Sequence, residues 1–131
     1  MLVATRAKAD PRPIHGRALI VEDSPTDRAL LKALLGKMGV ACDTARNAAD
    51  GIAAALSSKY DFIFMDIMLP GMDGRAATRF IHESLGPASP FMVAVTALRG
   101  EADRRSCLEA GMDYFLAKPI TLRGLQGIVT E

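Results

Sequence analysis

Five short apolar runs divide the chain: Ala18-Leu19-Ile20-Val21, Val40-Ala41-Cys42, Phe62-Ile63-Phe64-Met65, Phe91-Met92-Val93-Ala94-Val95 and Tyr114-Phe115-Leu116. Most are continuous rather than alternating, the pattern of strands covered by helices on both faces. Helical periods fill the gaps. Leu30, Leu31, Leu34, Leu35 and Met38 lie on one 3.6-period stripe. Ser24-Pro25-Thr26-Asp27 opens that helix with a capping serine, a proline at its first position and an acid at its third. Ala49, Ile52, Ala53 and Leu56 predict the inner face of a second helix, and Ala76, Ala77, Phe80 and Ile81 that of a third, capped by Asp73. A fourth runs from about Glu101 to Ala110 and stops at Gly111, and Leu122, Leu125, Ile128 and Val129 mark a fifth. Strict strand–helix alternation with short connections predicts an α/β fold, a doubly wound five-stranded parallel sheet with five helices.

The rest of the chain narrows the class. Its 131 residues suit one domain, and 24% charged residues is ordinary for a soluble one. Mean hydropathy is +0.17, yet no apolar run approaches the ~18 residues of a membrane span. The opening Met1-Leu2-Val3-Ala4 is too short for a signal peptide, so the chain is expected to be cytoplasmic, with no membrane insertion. Net charge is +1, split as +3 over residues 1–17 and −2 over the remainder. That distribution supports no direct nucleic acid binding, and residues 1–15 read as a flexible tail or linker before a domain over 16–131. Cys42 and Cys107 form no CxxC motif and read as free, half-buried thiols. His15 and His82 have no partners at metal spacing and read as surface residues, as do Arg104 and Arg105.

Chemistry gathers at the strand ends. Glu22 and Asp23 follow the first strand, Asp66 the third, Thr96 the fourth and Lys118 the fifth. Open α/β sheets bind ligands beyond the carboxyl ends of their strands, at the switch in strand order. With the order 2-1-3-4-5, three carboxylates, a hydroxyl and an ammonium would converge on one cleft. Two carboxylates ~5 Å apart repel by about 3 kcal/mol at an effective dielectric of 20, so one lysine cannot balance three acids. An all-oxygen ligand set without His or Cys points to Mg2+, which could hold a phosphoryl group against the acids. Asp66, on the central strand, is a candidate nucleophile for an aspartyl-phosphate.

These residues resemble a known family. Val21-Glu22-Asp23-Ser24, Met65-Asp66-Ile67-Met68-Leu69-Pro70-Gly71-Met72-Asp73-Gly74, Ala94-Val95-Thr96-Ala97 and Ala117-Lys118-Pro119 resemble the receiver domain of two-component response regulators. Cys107-Leu108-Glu109-Ala110-Gly111-Met112-Asp113 is most similar to receivers of hybrid histidine kinases and phosphorelays. The resemblance covers about residues 16–130 and implies a flavodoxin-like receiver fold. It implies that Asp66 accepts the phosphoryl group from a phosphohistidine of a histidine kinase or a histidine phosphotransfer protein. Asp23 matches a direct Mg2+ ligand, Glu22 an acid acting through a metal-bound water, and Met68 the residue whose backbone carbonyl completes the metal site. Thr96 and Lys118 match the hydroxyl and ammonium that contact the phosphoryl group, and Phe115 the aromatic that turns inward with Thr96. The face of the fourth helix, fifth strand and fifth helix is then expected to switch. Lys118-Pro119 matches a bond usually cis in the family. Phe115 lacks the hydroxyl many members carry, and Leu98 is apolar where many are polar.

Three other readings are weighed against this one. An aspartyl phosphatase using Mg2+ normally has a second acid two residues after its nucleophile, and Met68 stands there. A flavin or nucleotide module needs a phosphate cradle after the first strand, where Glu22-Asp23 would repel one. A receiver-like interaction module that ignores phosphate stays open. Only one helix follows Lys118-Pro119, so no output domain is expected here, and a monomer or weak dimer is expected.

Overall fold

The computed structural model describes residues 16–98 and 100–129. The tail or linker expected over residues 1–15, with His15, lies outside them. Five strands and five helices alternate: β1 (Gly16–Val21), α1 (Pro25–Lys37), β2 (Val40–Ala45), α2 (Ala48–Ser57), β3 (Phe62–Asp66), α3 (Gly74–Leu85), β4 (Phe91–Thr96), α4 (Glu101–Glu109), β5 (Tyr114–Ala117) and α5 (Leu122–Val129). All strand pairs are parallel, in the order β2-β1-β3-β4-β5. The doubly wound sheet expected from the sequence is present.

The pleat divides the apolar runs between two cores. Ala18, Ile20, Phe62, Phe64, Val93, Val95, Tyr114 and Leu116 face α1 and α5, meeting Leu31, Leu35, Leu125, Ile128 and Val129. Leu19, Val21, Ile63, Met65, Met92 and Ala94 face the other way, against Ala48, Ala55, Ala77, Ile81 and Cys107 of α2, α3 and α4. β3 and β4 are buried along their whole length, which explains why their sequences do not alternate. Each fully buried Phe, Leu or Ile contributes up to about 3 kcal/mol, so this two-sided burial is the main support for the polar strand ends.

Local signals act as read for α1 and α3. The Ser24 hydroxyl accepts the Asp27 N–H, with Pro25 at the helix start. The Asp73 carboxylate accepts the Arg75 N–H. The expected inner faces need correction. On α2 the buried residues are Ala48, Gly51 and Ala55, while Leu56 is exposed. Gly51 lies so close to β1 that a Cβ there would stand 2.7 Å from the Val21 side chain. On α3, Ala77 and Ile81 are buried but Phe80 is half exposed. His82 is half-buried, not a surface residue: its ring Nε2 lies 2.7 Å from the Gly111 carbonyl oxygen. Cys107 is buried and Cys42 half-buried, both as free thiols, and burial raises the pKa of each.

Candidate functional site

Register builds the site. Val21 pairs with Met65, so Glu22, one residue further, stands beside Asp66. Asp66 pairs with Val95, which places Thr96 just beyond it, and Thr96 pairs with Ala117, which precedes Lys118. The Lys118 N–H donates to the Thr96 carbonyl (2.9 Å), and the Ile67 N–H to that of Val95 (3.2 Å). The loop after β3 folds back sharply: the Gly74 N–H donates to the Ile67 carbonyl (2.9 Å), and a Cβ on Gly74 would run into the Asp66 carbonyl oxygen. Glycine at that position is what lets α3 start against the end of β3.

The three acids expected to converge do so. Glu22, Asp23 and Asp66 each offer a carboxylate oxygen within 4.8 Å of the others, a group that could hold a metal ion. Glu22 and Asp66 are buried and Asp23 is exposed. The donor set is carboxylate oxygen throughout, which fits a hard divalent cation such as Mg2+. Asp66 Oδ1 accepts the Met68 N–H at 3.0 Å, and Glu22 Oε2 accepts the Ser24 N–H at 3.1 Å. Arg28 donates to the Glu22 carbonyl (2.9 Å). Lys118 Nζ reaches across to Glu22 Oε1 at 3.0 Å and Asp66 Oδ2 at 3.4 Å. The buried Thr96 hydroxyl accepts the Leu98 N–H at 3.0 Å.

One member was not foreseen as part of the site. Asp27 Oδ2 lies 3.0 Å from Lys118 Nζ, as close as Glu22. The sequence identified Asp27 only as a helix-start acid. Its place one helical turn after Asp23, at the strand-end side of α1, is the signal that could have brought it into the site.

The electrostatics follow from three carboxylates around one ammonium, with Asp23 beside Glu22 and Asp66. The Glu22 carboxyl is raised from 4.5 to about 7, first by burial, then by its contact with Asp66; the Ser24 N–H and Lys118 oppose the rise without overcoming it. Burial opposes the Lys118 charge, but Asp27, Glu22 and Asp66 outweigh it and raise its pKa.

The cluster opens at Asp23 onto a cleft of about 630 Å³, lined also by Met68, Met72, Arg75 and Leu98, among others. The Met68 side chain is 61% exposed. Phe115 is half-buried, packs on the core containing Met92 and Ala94, and carries Arg104 over its ring at 5.5 Å. Arg104 is therefore not simply a solvated residue, as its position beside Arg105 had suggested.

The family model for the response regulator receiver domain matches residues 18–130. The chain belongs to the response regulator receiver domains. Over 122 residues this receiver is 37% identical to the osmosensing histidine protein kinase SLN1 of Saccharomyces cerevisiae, covering 88% of this chain but only 10% of the kinase. Among solved structures, it resembles the receiver domain of sensor histidine kinase PA1611 from Pseudomonas aeruginosa, which holds a magnesium ion in its active site cleft. That match has a TM-score of 0.80 at 34% identity and covers 88% of this chain and 94% of that one. It also resembles a chain from the Saccharomyces cerevisiae complex of the histidine phosphotransfer protein Ypd1 with the receiver domain of its downstream response regulator Ssk1. There the TM-score is 0.79 at 28% identity, covering 93% of this chain and 89% of that one. Among the described residues no helix is long and apolar enough to cross a membrane.

Proposed function

We propose that this receiver accepts a phosphoryl group onto Asp66 from a phosphohistidine of a histidine kinase or a histidine phosphotransfer protein. The observation that carries the reading is the meeting of Glu22, Asp23 and Asp66 within 4.8 Å with Lys118 bonded among them. The relative PA1611 with magnesium and the Ypd1–Ssk1 complex support it by likeness. A carboxylate oxygen of Asp66 attacks phosphorus, the P–N bond to the donor imidazole breaks, and an acyl phosphate forms. Asp23 and Asp66, Glu22 through a water, and the Met68 carbonyl would hold Mg2+. When bound, the ion neutralises charge that develops on the transferring phosphoryl oxygens.

Lys118 and the Thr96 hydroxyl would contact the added phosphoryl oxygens. Drawing Thr96 towards them would open space for Phe115, which sits on the neighbouring strand, and the face of α4, β5 and α5 would change. The domain is taken as residues 16–131, with residues 1–15 a tail or linker. The protein catalyses only its own phosphorylation and dephosphorylation. It works in the cytoplasm, as a monomer or weak dimer, without inserting into a membrane or binding nucleic acid.

The test is incubation with acetyl phosphate, with and without Mg2+, followed by intact-mass measurement of the protein and of Asp66→Asn. One phosphoryl group should appear on the unaltered protein, only with Mg2+, and none on Asp66→Asn, whose circular dichroism should stay native. Absence of uptake by the unaltered protein would favour the phosphate-independent interaction module.

A further inference from the structure

We infer that Asp27 is a positioning residue that holds Lys118 back from the phosphoryl group. The inference rests on the phosphoacceptor reading above and concerns the rate of uptake at that same site. An ammonium has three N–H donors. On Lys118 three carboxylates compete for them: Glu22 at 3.0 Å, Asp27 at 3.0 Å and Asp66 at 3.4 Å. The longest of the three contacts is to the carboxylate that would accept the phosphoryl group. Glu22 and Asp27 thus hold the ammonium on the α1 side of the cleft.

The two restraining acids are unequal. Glu22 is nearly fully buried, belongs to the acidic trio and is held by the Ser24 N–H at 3.1 Å. The Asp27 side chain is 33% exposed, and its backbone N–H is already held by the Ser24 hydroxyl. The Ser24 N–H that an acid at this third helical position could accept goes instead to Glu22 Oε2, so the contact of the Asp27 carboxylate is to Lys118. Asp27 is also outside the acidic trio that could hold a metal. For Lys118 to bond an incoming phosphoryl oxygen it must release a donor, and the Asp27 contact is the one that neither the metal site nor the capping of α1 requires. Asp27 also adds negative charge to a cleft that must admit an anionic donor. Both effects slow uptake. Only the first works through Lys118.

The experiment measures uptake of the phosphoryl group from acetyl phosphate in saturating Mg2+ for five proteins: unaltered, Asp27→Asn, Asp27→Glu, Lys118→Gln and the double variant Asp27→Asn/Lys118→Gln. Asp27→Asn should be phosphorylated about fivefold faster, a modest factor because the pair is partly exposed. Asp27→Glu should return the rate towards that of the unaltered protein. In the Lys118→Gln background the gain should vanish, since there is no ammonium left to hold. A second readout needs no phosphoryl donor: the Lys118 ammonium protons, followed by 15N NMR in the metal-free protein, should exchange with water severalfold faster in Asp27→Asn. An equal gain in the Lys118→Gln background would mean that Asp27 acts only through its field, and would overturn the inference. An unchanged or slower rate for Asp27→Asn, or unchanged ammonium exchange, would overturn it as well. If the unaltered protein took up no phosphoryl group, the phosphoacceptor reading itself would fall, a result distinct from any of these.

Discussion

Replacing Glu22 by glutamine removes a buried charge while keeping the shape of the side chain. The folded-state pKa of about 7 against the ordinary 4.5 sets the effect. Below pH 4.5 the carboxyl is protonated in both states and contributes no slope. Between 4.5 and about 7 the folded protein keeps a proton that the unfolded chain has released, so stability falls as pH rises. Above about 7 both states are ionised and the loss is complete. A rise of this size corresponds to about 3 kcal/mol. Two carboxylates at 4.8 Å, the outer limit of the spacing in the acidic trio, repel by a similar amount, about 3.5 kcal/mol at an effective dielectric of 20. Glutamine sacrifices one acceptor of the pair serving Ser24 and Lys118, but that loss does not depend on pH. The readout is therefore the pH dependence of the difference between the two proteins. In urea with a chelator, Glu22→Gln should gain about 2.5 kcal/mol on the unaltered protein between pH 5 and pH 8, or roughly 1–2 M in midpoint. Parallel loss of stability in the two proteins would show that Glu22 does not carry the charge strain of the cleft.

Asp23→Ala should weaken Mg2+ binding by on the order of a hundredfold, and Glu22→Ala by about tenfold, because only Asp23 is a proposed direct ligand; calorimetric titration ranks them, since the chain has no tryptophan to report. The acyl phosphate on Asp66 should outlast that of Met68→Asn/Leu98→Glu by about tenfold after donor removal, because neither Met68 nor Leu98 offers a side-chain group to orient an attacking water. Gly74→Ala should lose about 1–3 kcal/mol in a denaturant melt, because the added methyl runs into the Asp66 carbonyl.

The strands were legible because burial on both faces leaves a continuous apolar run, as in Phe62–Met65 and Phe91–Val95. β2 was underestimated. It runs on through Asp43 and Thr44, which its place at the sheet edge leaves exposed, to the buried Ala45. The inner face of α2 was misplaced because alanines surround it and define no stripe; the close approach of Gly51 to Val21 decides it, and no sequence period encodes that. The acids and the lysine of the site were legible from their position after successive strands. Asp27 was not, since its role depends on how far the Lys118 side chain reaches across the sheet to α1. The same holds for His82, whose bond to Gly111 joins residues 29 apart in sequence.

The cleft is underbalanced by construction, and its proposed work depends on that. Among the described residues Lys118 alone makes ion pairs with Glu22, Asp27 and Asp66, while Asp23 stands exposed beside them. The two apolar cores on either side of the sheet tolerate the unfavourable cluster, because the sheet's register fixes Glu22 beside Asp66 whatever their charges prefer. A cluster balanced by a second lysine would be more stable and would have less need of a divalent cation. Glu22 keeps its proton near neutral pH first because it is buried and then because Asp66 is beside it, and the proposed affinity for Mg2+ answers the same crowding of acids. This makes the two readouts move in opposite directions: Glu22→Gln should stabilise the metal-free fold at pH 8 and weaken the metal site in the same protein. A variant that gained both stability and metal affinity would break that link.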